Sequence, residues 1–258
     1  MGNRVKRVID GGGMALGGLT GTFAGPTIVE IIALSGLDAV LIDLEHNGLE
    51  LRDVEAMVVA AAASDVTPIV RLPVVDEGLI GRLLDIGVQG IQVDGIESAE
   101  QAQVLVDAVR FPPLGSRGLI WNSRAARYGR VDRASFRETA NAETLVKISI
   151  DSLPGIDAAA EIAAVAGVDI IGIGAHDMSN QLGVVGSPDH PLLNEAIDKV
   201  VSAVSATGPG RLALPLGSSA WPRSADDLRS LGCAYTNLQP HPEQRLLRSL
   251  ADQASSVR

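Results

Sequence analysis

The chain has 258 residues, 46% of them hydrophobic, enough for one sizeable core at a length common for α/β barrels. Its 31 acids against 21 bases leave a formal net charge of −10, a field that repels phosphate backbones and argues against a nucleic-acid partner. A single cysteine, Cys233, excludes an intramolecular disulfide and is the usage of a reducing compartment. The basic residues Arg4, Lys6 and Arg7 lead into Gly-rich sequence rather than an apolar run, so no signal peptide is expected. The longest apolar run, AMVVAAAAS, is about half the ~20 residues of a membrane span. The expectation is a cytoplasmic protein with neither membrane nor nucleic-acid partners.

In chain order, a first strand over 14–20 (MALGGLT) precedes a helix, TIVEIIALSG, with Pro26 just ahead of it and Gly36 at its end. DAVLID (38–43) then leads into ELRDVEAMVVAAAAS, TPIVRL (67–72) into DEGLIGRLLDIG, and VQGIQVD (88–94) into SAEQAQVLVDAVR. An arginine-rich interruption covers 111–133. The pattern resumes with TLVKISI (144–150) and PGIDAAAEIAAVAG, then VDIIGIG (168–174) and HPLLNEAIDKVVSAVSATG. It closes with RLALPL (211–216) and SADDLRSLG, then YTNLQ (235–239) and PEQRLLRSLADQ. Several of these helices open on Ser, Asp or Pro and end on Gly.

Eight strands alternating with helices predict βαβ units and a parallel sheet. The fold class expected is α/β, a (β/α)8 TIM barrel, forming one domain over 1–258. An open dinucleotide-binding sheet fits less well, because GGGMALGG precedes or lies within the first strand and no G-x-G-x-x-G follows it.

Such a barrel carries its chemistry where the strands end. Strand 2 exits with Asp43, Glu45 and His46, strand 3 with Arg71, and strand 4 with Asp94. Strand 5 exits with Ser149 and Asp151, strand 6 with His176 and Asp177, and strand 8 with Asn237 and His241. Asp151 and Asp177 read equally well as caps of the following helices. His190 reads as a surface residue and Cys233 as a small apolar residue at a strand start.

As a set, the residues make chemical sense. Two carboxylates on adjacent strand ends suit a hard divalent cation that keeps waters and leaves room for substrate oxygens. Arg71 offers a planar fork for a carboxylate or a developing oxyanion. An imidazole such as His46 titrates near neutrality, and Asp43 or Glu45 would orient it. Metal, arginine and histidine together suggest enolate chemistry on a small 2-oxo acid.

The stretches LIDLEHN, IVRLP, LLDIGVQGIQV, SAEQA, RFPPLGSRG, RAARYG and GIGAHDMSNQLG resemble the HpcH/HpaI aldolase (citrate lyase β-like) family. The resemblance covers about residues 17–185 and implies a barrel of the phosphoenolpyruvate/pyruvate-binding type. It implies a class II aldolase acting on a 2-oxo acid and an aldehyde-type acceptor with Mg²⁺, Mn²⁺ or Co²⁺. It also implies a homo-oligomer, a hexamer built as a trimer of dimers, with an exchanged C-terminal helix. His46 would transfer the proton, supported by Asp43, and Arg71 would stabilise the enolate. Asp177 would bind the metal, and the amides of Ala175, His176 and Asp177, after Gly174, would hold the pyruvate carboxylate. Asp85 matches an acid that approaches a neighbouring subunit's site.

The chain departs from the family at the rim. The Q-x-E-S pattern is Ser149-Ile150-Asp151-Ser152, so the second metal ligand would be Asp151 and the neighbouring Gln is Ser149. G-P-A-D becomes Gly174-Ala175-His176-Asp177, and a strand end that is usually V-P is Val93-Asp94. These changes leave two alternatives open beside the aldolase. One is a biosynthetic member of the family that decarboxylates oxaloacetate or forms citrate-like bonds, with or without a metal. The other is a non-catalytic barrel that binds oxo acids. The arginines at 117, 124, 127, 130 and 133 read either as exposed or interface residues, or as a site for an anionic tail.

Overall fold

The computed structural model describes residues 2–257. Strands β1 (Ala15–Leu19), β2 (Ala39–Asp43), β3 (Thr67–Leu72) and β4 (Gly90–Val93) pair in parallel with their sequence neighbours. So do β5 (Leu145–Ile150), β6 (Ile170–Ile173), β7 (Leu212–Ala213) and β8 (Cys233–Asn237), and β8 returns to β1 to close the barrel.

Helices cover the outside. They are α1 (Arg4–Asp10), α2 (Pro26–Leu34), α3 (Leu51–Ala63), α4 (Glu77–Asp85), α5 (Ala99–Val109) and α6 (Arg133–Glu143). Then come α7 (Leu153–Asp157), α8 (Ala159–Ala163), α9 (Ala175–Gln181), α10 (Pro191–Ser205), α11 (Ala225–Ser230) and α12 (Pro242–Ser256). Side-chain oxygens of Asp76, Ser98, Ser152 and Ser224 cap four of them, each accepting from the amide three residues on.

Alternation sorts each strand into two faces. Val40, Ile42, Val70, Ile91, Val93, Ile148, Ile150 and Ile171 face outward into the shell of helices. Ala15, Leu19, Ala39, Leu41, Ile69, Leu145, Ile170, Ala213 and Tyr235 face inward and, with Val5 of α1, form the barrel's own core. The next inward position up from Leu41, Ile69, Gly90 and Leu145 is polar in all four strands. Register places Asp43 against Arg71, Arg71 against Gln92, and Gln92 against Lys147. An apolar plug thus carries a polar row on its upper side.

Several elements differ from expectation. The seventh strand ends at Ala213 instead of 216, because Pro215 has no N–H to continue a ladder; only Leu216 rejoins, bridging Leu238. PGIDAAAEIAAVAG breaks at Ala158 into α7 and α8. Helices α1 and α6 were not expected, and α9 begins at Ala175, ahead of Asp177. In α1, Asn3 bonds the carbonyls of Gln89 and Glu143 and so ties the helix across the barrel's lower end.

The arginine-rich segment is not wholly exposed. Arg117 is buried, its guanidinium lies 4.4 Å from the Phe111 ring centroid, and it donates to Asp85 at 2.9 Å. Cys233 is buried at the start of β8, as expected. No helix among the described residues is long and apolar enough to cross a membrane.

Arg110, at the end of α5, clamps the lower rim. It donates to the carbonyls of Asn141, Thr144 and Gly167 and to Asp169 at 2.7 Å. Asp169 would keep Lys6, but the carbonyls of Asn141, Thr144 and Gly167 would lose their donor, so Arg110→Met should lower unfolding stability by roughly 2 kcal/mol, read by urea denaturation.

Candidate active site

Above the polar row lies a cavity of about 280 Å³, open at the C-terminal ends of the strands. Its lining includes Arg71, Gln92, Asp94, Lys147, Ser149 and Asp151, together with His46, Gly174 to Asp177, Asn237 and His241. A larger cleft of about 470 Å³ lies at the opposite end, bordered by Arg4, Arg117, Arg124, Arg127 and Arg130. Chemistry in this architecture belongs to the strands' C-terminal ends, which makes the smaller cavity the candidate.

Arg71 is the centre of its charge network. Its Nε and Nη2 donate to Asp43 at 3.0 and 2.8 Å, a fork-to-fork pair, and its Nη1 donates to Asp94 at 3.2 Å. Burial works against the guanidinium's charge, but the Asp43 bond and the charges of Asp94, Asp43 and Glu45 outweigh it and raise its pKa. Burial likewise penalises the Asp43 carboxylate, yet Arg71 and the amides of Glu45 and His46 hold it below its ordinary range.

Asp43 also shapes the loop that follows it. Its Oδ1 accepts from the amides of Glu45 and His46, and its Oδ2 from the side chain of Asn47. The expectation that Asp43 orients the His46 ring is therefore corrected: its oxygens are occupied by Arg71 and the loop. The ring's neighbour is Glu45, with Nε2 3.5 Å from Oε2, and the imidazole is 66% exposed at the rim. Glu45 Oε2 is buried and accepts no hydrogen bond from the described residues, though it stands 3.4 Å from Arg71 Nε. Burial and the nearby Asp94 raise the Glu45 pKa against the opposing pull of Arg71 and His46.

Neither Asp151 nor Asp177 caps a helix through its side chain. Ser152 caps α7, and Asp177 lies within the first turn of α9, whose N-cap, Gly174, makes no side-chain bond. Burial pushes Asp151 up to about 7, and Asp94 and Asp177 push in the same direction. Its Oδ2 accepts from the Gly95 amide at 3.3 Å. A Cβ on Gly174 would stand 2.7 Å from Cβ of Asp151, so glycine is what lets α9 begin hard against this carboxylate. His176 lies at the start of α9, its Nε2 3.4 Å from Ser218 Oγ.

Asp85 is not in this cavity. It ends α4 at the lower rim, where it pairs with Arg117.

Gln92 and Lys147 are among the cavity residues outside the set of strand exits. They point inward one layer below the rim, and the Lys147 amine donates to the Gln92 side-chain oxygen. Gln92 in turn donates to Asp94 at 2.7 Å. Their signal was a polar residue at the inward phase of an otherwise apolar strand.

The donor set fits a hard divalent ion. No cluster of three or more His, Cys, Asp or Glu ligands occurs among the described residues. Mg²⁺, however, needs only one or two carboxylates when water and substrate supply the rest. Burial and the charges of Asp94 and Asp177 disfavour the Asp151 carboxylate in the way a cation relieves, and the orphaned Glu45 oxygen is an acceptor ready for a coordinated water.

The family model for HpcH/HpaI aldolase/citrate lyase matches residues 21–213. A hydroxypyruvate/pyruvate aldolase of Roseobacter denitrificans is 38% identical over 180 residues, 69% of this chain and 70% of that protein. A crystal structure of an HpcH/HpaI aldolase/citrate lyase family protein from Burkholderia cenocepacia J2315 superposes with a TM-score of 0.88 at 30% identity, covering all of both chains. The fold, at 18% identity and a TM-score of 0.54, is also that of a citrate lyase β subunit from M. tuberculosis complexed with oxaloacetate and magnesium, covering 90% of this chain and 93% of that one.

The raised Asp151 pKa has a consequence for stability. The unfolded carboxyl ionises near its ordinary 3.8 and the folded one near 7, so the folded state loses stability as pH rises between them. In EDTA, Asp151→Asn should therefore be more stable than the parent at pH 8, by roughly 1–2 kcal/mol once solvent screening is allowed for. The gap should close below pH 4, read by thermal unfolding across that range.

Proposed function

Because the chain belongs to the HpcH/HpaI aldolase/citrate lyase family and is a carbon–carbon lyase of the aldolase type, we propose that it makes or cleaves a bond at C3 of a pyruvate-type enolate. The observation that carries this reading is the half-buried Arg71, held from two sides at the cavity by Asp43 and Asp94.

Cleaving or forming a bond at C3 places an electron pair there, which delocalises onto the oxygen at C2. That oxygen needs a fixed positive charge. A guanidinium has five N–H donors, and Asp43 and Asp94 take three of them, which leaves two for substrate. Because Asp43 locks the fork before substrate arrives, little reorganisation is needed as charge develops.

Asp151 and Asp177 would hold the divalent cation, with Glu45 accepting from a coordinated water. When bound, the cation supplies a Lewis acid at the keto oxygen. The uncapped first turn of α9, from Ala175 to Asp177, offers amides to the substrate carboxylate, beside Ser149 and His176. His46, exposed at the rim beside Glu45, would exchange the proton of an acceptor's hydroxyl as the aldehyde enters or leaves.

The reading extends to assembly. The apolar face of α12, with Leu246, Leu247 and Leu250 exposed, suits exchange onto a second copy in a trimer of dimers. In that assembly Asp85, which is remote from its own chain's cavity, would approach a neighbour's.

In D₂O the protein should exchange the methyl protons of pyruvate, faster with Mg²⁺, Mn²⁺ or Co²⁺ and slower after EDTA, as followed by proton NMR. Arg71→Lys should slow exchange by about 10²–10³-fold while leaving the fold intact by circular dichroism, since an ammonium cannot span Asp43, Asp94 and the oxyanion. No exchange with any of the three metals would overturn the reading.

A further inference from the structure

Lys147 takes no part in the chemistry derived so far. It is one of only three lysines in the chain, and the other two bond carboxylates, Lys6 to Asp169 and Lys199 to Asp157. Lys147 instead projects into the barrel from β5, one inward position below Ser149, and lines the cavity shared by Arg71 and Asp151.

A lysine ammonium carries three N–H donors. Among the described residues only one is taken, by the neutral side-chain oxygen of Gln92, and no carboxylate pairs with the amine. The Tyr235 ring centroid lies 5.3 Å away, but its hydroxyl gives its hydrogen to Asn237. Burial brings the amine down to about 8, with Asp94 opposing the shift and Arg71 adding to it. It therefore still carries its proton at neutral pH, and an anion set against it would hold that proton more firmly. A buried charge with two donors to spare is costly until an acceptor meets it.

The wall beside the amine is bare. Gly172 of β6 lies opposite Ser149 in the register, and a Cβ there would stand 3.6 Å from Lys147 Nζ and 3.8 Å from Ser149 Oγ. A larger side chain would fill the gap between the two groups. Glycine instead keeps open a recess whose donors are an ammonium and a hydroxyl.

We propose that this recess holds a second carboxylate of the substrate, carried on C3 of the 2-oxo acid. The inference rests on the reading that the cavity takes a 2-oxo acid. On that reading the first carboxylate lies on the amides of α9, and the C2 oxygen lies on Arg71 and the cation. Only C3 is left without a partner. One face of C3 must look to the mouth, where an acceptor enters beside His46. A substituent on C3 then lies against the inner wall, where Lys147 and Ser149 donate to it.

A carboxylate suits the recess better than a hydroxyl. It brings the negative charge that the ammonium lacks, and its two oxygens accept from both donors at once. The Gln92 amide, bonded to Lys147 on one side and Asp94 on the other, holds the amine in place. Lys147 is thus a specificity-determining residue that selects a 2-oxo diacid over pyruvate. The C2 oxygen stays with Arg71 and the cation throughout.

The test is calorimetry of the full chain, in EDTA and again with Mg²⁺, using 2-oxo acids that differ only on C3. Pyruvate has no substituent there, 2-oxobutyrate a methyl, hydroxypyruvate a hydroxyl and oxaloacetate a carboxylate. Oxaloacetate should bind about 10–100-fold more tightly than 2-oxobutyrate, the worth of a charge-assisted hydrogen bond, with hydroxypyruvate between them. Lys147→Met should bring oxaloacetate down to the affinity of 2-oxobutyrate. Binding of the wild type to the series without preference for the carboxylate overturns the recess and leaves the 2-oxo acid reading intact. So does a preference that survives in Lys147→Met of native circular dichroism. Absence of binding by all four acids under both conditions overturns the two together. Because the wild-type series is decisive, the outcome does not depend on whether the variant folds.

Discussion

The mouth of this barrel depends on the pairing of Arg71 with Asp43. A guanidinium placed inside a barrel gives up its hydration, and only a matched carboxylate at close range offsets that loss. Parallel register sets the two residues opposite each other on adjacent strands, so both bonds of the fork form without distortion. The same carboxylate then accepts from the backbone of Glu45 and His46, so the β2 loop takes its shape from the ion pair. Losing Arg71 would leave the Asp43 carboxylate buried without its cation, and losing Asp43 would leave the arginine only Asp94 and Glu45 and release the loop that carries the rim histidine.

Charge around that pair is unbalanced. Asp43, Glu45, Asp94, Asp151 and Asp177 surround two cationic side chains, Arg71 and Lys147, and the excess shows in the raised pKa values of Glu45 and Asp151. An acidic cavity is a poor host for an anionic oxo acid unless positive charge is placed where the substrate's oxygens lie. Arg71 supplies part of it, and a cation on Asp151 and Asp177 would supply the rest. Asp94 adds to the strain on Asp151 while bracing Arg71 and, through Gln92, touching Lys147. One acid at the end of β4 thus links the central arginine to the buried amine.

The barrel and most of its rim were legible in the chain, and the reasons are physical. Burial on both faces gives parallel strands continuous apolar runs, and capping residues with closing glycines mark the helices between them. Once strand order is known, residues at strand exits must share one end of the molecule, and for that reason His46, Arg71, Asp151 and Asp177 were found together. Helix α9 starts earlier than Asp177 as a cap would imply, because its N-cap is Gly174, which has no capping side chain. Helix α6 lay behind an arginine-rich segment that read as a loop and short helix, although Asp132 caps it. The seventh strand was overread because RLALPL is uniformly apolar, whereas Pro215 breaks its ladder.

The sequence by itself determined the alternation of strands and helices, the closure into eight units, and the identity of the polar groups at the upper rim. These follow from local rules: period, caps, and the fact that charge inside a strand pattern has to emerge at its end. Partnership was decided only in three dimensions. Asp43 could have served His46 or Arg71, and a bidentate bond across the β2–β3 register took it to the arginine. Lys147 lies inside TLVKISI, below the exit residues singled out from the sequence. Only the stagger of a closed barrel, which sets the height of each inward residue above the apolar plug, places its amine on the wall of the cavity.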